Sequence, residues 1–296
     1  FRWDGEPYHF PFHLKTQGLR TGLWQVDAAA SSQMLSALLM VASLAEGPVR
    51  IQQLGSTVSK PFVEMTTRMI AAFRRDGQSP DEARDGYEFK ASPYRLASGY
   101  YEIEPDATAA SYFLSLPLSI GGQIKVAGFS KQTSLQGDLS FHQVLEDIGL
   151  ASNFGSDGLQ TKASGGPLRG GTFEFNAISD TFLTLAALAP LFSEPVIIKG
   201  IEHTRKQETD RVYAMATELR KLGQEVKEEK DSLTIHPNKE ALVEAAKRRR
   251  AVLEYPRSVI PRKGDHDSYG RVDSSSNIAG RDRVVVYDLV RSPCAE

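Results

Sequence analysis

Three stretches of the chain repeat one alternation of apolar and polar positions. Each opens on a strand-like run, crosses a small or acidic junction and enters an apolar helix. A second strand and a second helix follow. The first stretch reads WQVDAAASSQMLSALLMVA, GPVRIQQL and STVSKPFVEMTTRMIAAF; the second YEIEPDATAASYFLSLPLS, GGQIKVAGF and GDLSFHQVLEDIGL; the third FEFNAISDTFLTLAALAPLF, EPVIIKGI and KQETDRVYAMATELRKLG. Aligning Leu35-Ser36, Leu114-Ser115 and Leu183-Thr184 sets the period at roughly 70–80 residues, too long for a solenoid unit and suited to a βαβαβ module.

The two helices of a module differ in pattern. Ser36–Ala42 (SALLMVA) and Leu183–Phe192 (LTLAALAPLF) have no polar face, which predicts helices buried on most sides. Thr209–Gly223 instead alternates Val212, Met215, Ala216 and Leu219 with Arg211, Glu218, Arg220 and Lys221, a one-sided helix with Gly223 at its stop. The pattern predicts an α/β architecture of inner apolar helices, outer amphipathic helices and sheets between them. Phe73–Tyr87 is expected as a solvated loop and Ser164–Gly171 as a turn region. Beyond Pro237 the repeat is lost. Lys239–Arg250 suits one short helix, Tyr255–Arg283 has no apolar period, and Val284–Val290 alone is strand-like, so residues 239–296 are expected to be an atypical, poorly ordered tail.

Composition narrows the function classes. With 41% hydrophobic and 24% charged residues, the 296-residue chain is globular. Its net charge of −2 argues against a nucleic-acid partner. The apolar runs are too short to span a bilayer. One cysteine, Cys294, allows neither an internal disulfide nor a zinc cluster, which fits a reducing, cytoplasmic setting.

Candidate chemistry gathers at the junctions before helices. Ser31-Ser32-Gln33, Ala110-Ser111-Tyr112 and Ser179-Asp180-Thr181 are equivalent in the repeat. A helix N-terminus offers free N–H groups and a positive dipole end to an anion, and Ser31, Ser32 and Gln33 add donors. Simple N-capping accounts for the same residue types, and for Ser59 before Lys60 and for Asp180. The segment His203-Thr204-Arg205-Lys206-Gln207-Glu208-Thr209-Asp210-Arg211 mixes both charge signs, an amide and an imidazole. In it Arg211 is fit to grip a carboxylate and Glu208 to move a proton, although a solvated helix start has the same composition. His9 and His13 have a metal-binding helical spacing, but Pro11 between them breaks the helix. No P-loop and no G-x-S-x-G elbow is present.

Taken in order, several of these segments resemble one family. Ser31-Ser32-Gln33 before SALLM, Ser59-Lys60-Pro61, EPDATAASYFL, SLQGD at Ser134–Asp138, Asp180 before an apolar helix and QETDR before AMATELRKLG are similar to EPSP synthases over about residues 14–237. The resemblance implies a two-lobed enolpyruvyl transferase fold, an inside-out α/β barrel, incomplete here at both ends. On that basis residues 1–134 belong to the shikimate-phosphate-binding lobe, with a lobe change near Ser134–Asp138. Residues 135–238 then belong to the second lobe. The implied reaction moves the enolpyruvyl group of phosphoenolpyruvate to the 5-hydroxyl of shikimate 3-phosphate, in a monomer without metal or organic cofactor.

The resemblance also implies roles. Ser31, Ser32 and Ser59 hold the shikimate phosphate, Gln33 touches both substrates, and His203 and Gln207 lie at shikimate 3-phosphate positions. Asp180 binds that substrate and serves as base, Glu208 donates a proton, and Arg211 binds phosphoenolpyruvate. A UDP-N-acetylglucosamine enolpyruvyl transferase is the alternative on the same fold, though its loop cysteine has no match. A silent partial domain that only binds phosphorylated ligand is the alternative outside catalysis. Departures from the pattern are His203 for an asparagine, Gln207 for a lysine and Phe62 for a tyrosine. Charged elements expected before Phe1 and after Pro237 are unmatched, Asp265-His266-Asp267 being only an echo of one. A poor catalyst is therefore expected.

Overall fold

The computed structural model describes residues 1–29, 31–55, 60–95 and 99–247. Ser59, the strand-like Val284–Val290, Asp265-His266-Asp267 and Cys294 lie outside them. The chain forms two compact units that divide at Glu102/Ile103.

In the first unit a short hairpin, β1 (Arg2–Trp3) and β2 (Phe12–His13), precedes one complete module. The module runs β3 (Gly22–Asp27), α1 (Gln33–Ala42), β4 (Val49–Leu54), α2 (Lys60–Phe73), β5 (Asp81–Ala83) and β6 (Gly86–Phe89). Its sheet has the order β3-β4-β6-β5, with β3 and β4 parallel and the other pairs antiparallel. The parallel pair follows from the crossover helix α1, since parallel neighbours need a long connection. Val26, Ile51 and Phe89 from the sheet meet Leu35, Leu39, Val63 and Ile70 from the helices in one core.

The second unit contains two modules. The first comprises α3 (Ala107–Ser115), α4 (Pro117–Ile120), β7 (Gln123–Ala127), α5 (Phe141–Ile148), β8 (Leu150–Gly155) and β9 (Gly158–Ala163), with sheet order β7-β9-β8. The second comprises β10 (Gly171–Glu174), α6 (Phe182–Leu188), β11 (Val196–Lys199), α7 (Arg211–Lys221), β12 (Glu225–Glu228) and β13 (Ser232–His236). Its order, β10-β11-β13-β12, and its strand directions repeat those of the first unit.

The structure corrects the expected module in several ways. Its second helix is followed by a β-hairpin, so the unit is βαβαββ. The expected loop Phe73–Tyr87 therefore contains β5 and the start of β6. The hairpins turn at Asp85-Gly86 and Asp157-Gly158. Both glycines have positive φ, 152° and 153°, and a Cβ on either would collide with a backbone carbonyl of the neighbouring strand, that of Ile51 or Val126. Tyr101–Glu104, expected as an opening strand, is not one. Instead the Glu104 carboxylate accepts the N–H groups of Leu135 and Gln136.

The 102/103 division differs from the lobe change expected at 134–138. Ala107, Ala110, Leu114 and Phe129 share one core with Phe141, Phe182, Leu185 and Val212, so residues 103–134 pack with the chain beyond residue 134. The described start of the tail is also ordered. Lys239–Lys247 forms α8, which sets Leu242 and Ala245 against Leu222.

The inner helices differ in burial. In α6 Phe182, Leu183, Thr184, Leu185, Ala186 and Leu188 are all buried, as the all-round apolar pattern predicts. In α1 only Leu35, Leu39 and Ala42 are buried, while Met34 and Met40 are exposed. Glu218, expected on the polar face of α7, is buried with its carboxylate held by Lys221 at 2.7 Å.

Candidate active site

The first helix mouth is built at the end of β3. The Asp27 carboxylate accepts the N–H of Ala29 and turns the chain toward α1. Ser31 Oγ accepts the N–H of Gln33 at 3.2 Å, so Ser31 supplies the local turn. Ser32, the residue before the helix, has helical dihedrals and makes no side-chain cap bond; it is buried, with Gln33 exposed beside it. The first turn of α1 carries no acidic residue to set against its positive end. Thr66 donates to Ser36 at 3.1 Å and ties α1 to α2.

The second mouth is charged. After β10 a 3₁₀ turn, Ser179–Thr181, leads straight into α6. Capping does not explain Asp180, because its carboxylate accepts from Arg211 Nη1 at 2.6 Å and makes no cap bond. The other fork of the guanidinium, Nη2, donates to Glu208 at 3.0 Å. Arg211 is the first residue of α7, whose cap is Asp210: its carboxylate accepts the N–H of Tyr213 at 2.9 Å. Arg205 braces this corner. It donates to Asp210, to Glu228 and to the carbonyls of Glu229 and Lys230. The helix therefore begins at Arg211, two residues later than the Thr209 of the periodicity.

His203 lies in the 3₁₀ turn Glu202–Lys206 and sets Nε2 2.9 Å from the Ser179 hydroxyl, next to Asp180 in sequence. Burial lowers its pKa, with Asp180 and Asp231 acting against that shift. Gln207 is exposed. Asp180, Glu208, Arg211 and His203 are thus brought to one corner of the second unit. Ser31, Ser32 and Gln33 belong to the other unit.

Two parts of this corner are not evident from sequence. The Arg205–Asp210–Glu228 brace could not be separated from its charged neighbours by spacing alone. Asp138, used only as part of a motif, is buried in the 3₁₀ turn Gly137–Ser140. Burial pushes its pKa up to about 6, against the pull of the Thr108 hydroxyl, with the charges of Asp180 and Asp106 adding to the rise.

Chemically, the corner offers an arginine fork between two carboxylates. The side chains of Asp180 and Arg211 are 26% and 19% exposed, and that of Glu208 is 74% exposed. An ion pair as open as Arg211–Glu208 is worth about 0–1 kcal/mol, so a ligand carboxylate can displace Glu208 from the guanidinium at little cost. That exchange would leave Asp180 and Glu208 as two separate proton-transfer groups beside one bound anion. Among the described residues no cluster of His, Cys, Asp or Glu is suited to a metal, and no helix is long and apolar enough to cross a membrane.

Comparison with known proteins identifies the family. Residues 6–252 match the family EPSP synthase (3-phosphoshikimate 1-carboxyvinyltransferase). A protein of Opitutus terrae named 3-phosphoshikimate 1-carboxyvinyltransferase is 47% identical over 231 residues, which cover 77% of this chain and 49% of the relative. A protein of the same name from Vibrio vulnificus is 37% identical over 227 residues, 77% of this chain and 52% of the relative. The chain thus spans about half the length of the curated relatives it matches. Among solved structures, an EPSP synthase of Acinetobacter baumannii superposes with a TM-score of 0.56 at 16% identity, over 75% of this chain and 49% of the other, a likeness of fold. The family model covers most of the chain, and the chain belongs to the EPSP synthase family.

Proposed function

We propose that the chain serves transfer of the enolpyruvyl group from phosphoenolpyruvate to the 5-hydroxyl of shikimate 3-phosphate, with release of phosphate. The observation that carries this reading is the Arg211 fork joined to both Asp180 and Glu208 at the mouth of a buried helix. Arg211 holds the carboxylate of phosphoenolpyruvate. Glu208, freed from it and protonated from solvent, passes that proton to the enol methylene, which becomes a methyl group beside a cationic carbon. Asp180 accepts the proton of the attacking hydroxyl, whose oxygen bonds to that carbon. A proton of the resulting methyl group then returns to the Glu208 carboxylate and phosphate departs, which restores the double bond. Two carboxylates of unequal exposure suit this two-way proton traffic.

Ser31 and Ser32, with the N-terminus of α1, hold the phosphate of shikimate 3-phosphate, and Gln33 adds an amide. Ser59 takes the same role from the second-helix mouth. His203 and Gln207 contact the hydroxylated ring, burial acting against the charged form of His203. The test is a chimera in which residues 14–237 replace the matching stretch of the Opitutus terrae relative. Phosphate release that needs both substrates is the expected result. A folded chimera that binds shikimate 3-phosphate in a calorimeter yet releases no phosphate rejects the catalytic reading.

A further inference from the structure

Three junction residues are equivalent in the repeat, Ser32, Ser111 and Asp180, and the proposed chemistry uses only the first and the last. Ser111 is 1% exposed. Its hydroxyl donates to the Thr108 carbonyl of its own helix at 2.6 Å and lies 2.7 Å from the hydroxyl of Thr184 in α6. A hydroxyl has one proton, and that of Ser111 goes to Thr108, so Thr184 is the donor in the pair.

Thr184 follows Asp180 by four residues, about one turn along the helical run that begins at Ser179. The equivalent hydroxyls of the other modules serve nearer partners. Ser36 accepts from Thr66 in α2 of its own module, and Ser115 donates to the Tyr112 carbonyl within α3. Of the three, Thr184 alone reaches the inner helix of another module. The pair is set in an apolar core, with Ala107, Ala110 and Leu114 on α3 and Phe182 and Leu185 on α6. Apolar faces can slide past one another at modest cost, whereas a buried hydroxyl left without a partner is expensive, so the pair fixes the register of α6 on α3. Thr108 carries the tie one step further. Its hydroxyl donates at 2.7 Å to Asp138, whose 3₁₀ turn packs on the turn carrying Asp180.

We propose that Ser111 and Thr184 are positioning residues for Asp180, a buried strut that sets its carboxylate within reach of Arg211. The Asp180–Arg211 bond joins the starts of two helices, and each start needs its own anchor. The start of α7 is anchored by the Asp210 cap and the Arg205 brace. Asp180 makes no cap bond at the start of α6, and the strut one turn below supplies the anchor there. The junction of α3, equivalent in sequence to two substrate sites, thus serves the neighbouring module instead of a ligand. The inference rests on the proposed function for the part that Asp180 and Arg211 play in catalysis; the strut itself needs no substrate.

The test is nitrogen NMR of the arginine side chains in the full 296-residue chain, at low temperature and without ligand. Arg211, assigned by loss of its signals in Arg211→Lys, should give separate Nη1 and Nη2 signals. Asp180 and Glu208 hold the two forks and slow the rotation that exchanges them. Thr184→Val keeps the shape and removes the hydroxyl. It should speed the rotation by about fivefold, the factor that one hydrogen bond of ordinary net strength is worth, while Thr184→Ser keeps the unaltered rate. Ser111→Ala reads the same bond from its other end, should the valine variant not fold. Ile198→Val removes a buried methyl group from β11, lowers stability through packing alone and should leave the rotation unchanged. Averaged Arg211 signals in the unaltered chain overturn the proposal. So does an unchanged rate in Thr184→Val, or an equal rise in Thr184→Ser or Ile198→Val. Because no turnover is measured, an inactive chimera would reject the enolpyruvyl reading and leave this result standing.

Discussion

The helices α1 and α6 occupy equivalent places in their modules and have similarly apolar sequences, yet they end in different surroundings. In the second unit α3, α7 and the sheet strands close around α6, and a buried hydroxyl pair, Ser111 and Thr184 at 2.7 Å, joins α3 to α6. In the first unit α1 is packed by α2, β3 and β4, and Met34, Met40 and Leu44 remain more than half exposed. An all-round apolar helix is a statement about how many modules must surround it, not about its own module. One module covers one side of such a helix, and two cover nearly all of it. The mouths differ in the same sense: that of α1 presents the hydroxyls of Ser31 and Ser32 and no acidic residue in its first turn, and that of α6 presents a network of carboxylates and an arginine.

The largest expected effect tests the contrast in burial. Phe182→Ala should cost about 3–5 kcal/mol of stability, because a fully buried ring leaves a cavity that its neighbours cannot fill. Met40→Ala, on the exposed side of α1, should change stability by less than about 0.5 kcal/mol. Urea denaturation of the two variants side by side measures both. Similar losses would mean that the face of α1 carrying Met40 is covered in solution.

The contrast in chemistry is tested next. In the chimera, Asp180→Asn should lower turnover about 100-fold or more, the ordinary scale for removal of a general base, with a much smaller change in shikimate 3-phosphate affinity. Phosphate release under saturating substrates measures it. A variant with near-normal turnover would reduce Asp180 to a partner of Arg211.

Much of this was legible in the sequence, for reasons that can be named. The inner helices announced themselves because Leu183–Phe192 has no polar face to place in water, and α7 because its apolar residues fall on one side. The hairpins were missed since their strands are short and polar: Asp81–Ala83 has the composition of a loop, and only the Asp-Gly pairs at Asp85 and Asp157 marked the turns. Glu208 lies three residues before Arg211 and is legible as its local partner, but the Asp180–Arg211 contact joins positions 31 residues apart through two helix starts. No local pattern encodes such a pairing. Asp138 was invisible as a buried acid because an aspartate in a Gly-Asp turn reads as solvated.

A smaller effect distinguishes hydroxyl from carboxylate chemistry at the first mouth. Ser32→Ala in the chimera should weaken shikimate 3-phosphate binding by about 1–3 kcal/mol, the scale of a hydrogen bond to a charged group, with turnover at saturation nearly kept. Calorimetry beside the rate assay separates the two quantities. Because Ser32 does not cap α1, the fold should lose little, and a large drop in stability would show instead that its hydroxyl serves the helix.

The last effect concerns the charge held under the second mouth. Unfolded, an aspartate ionises near pH 3.9, whereas folded Asp138 ionises at about 6. Between those values the folded chain binds more protons than the unfolded one, so its stability falls as pH rises; the penalty is absent below about pH 4 and complete above about pH 6. A gap of roughly two units sets a ceiling of about 3 kcal/mol, and the Thr108 bond lost or remade in a variant reduces what is observed. Asp138→Asn keeps the shape and removes the charge. It should therefore raise stability by about 1–2 kcal/mol at pH 7.5, and the gain should vanish near pH 4. Urea denaturation at the two pH values is the measurement. Ser32, which carries no charge, should show no such pH-dependent difference when replaced by alanine, so the pair of variants isolates charge as what distinguishes the mouths. A gain of equal size at both pH values would trace instead to packing, and a loss at pH 7.5 would show that the ionised carboxylate is stabilised in the folded chain.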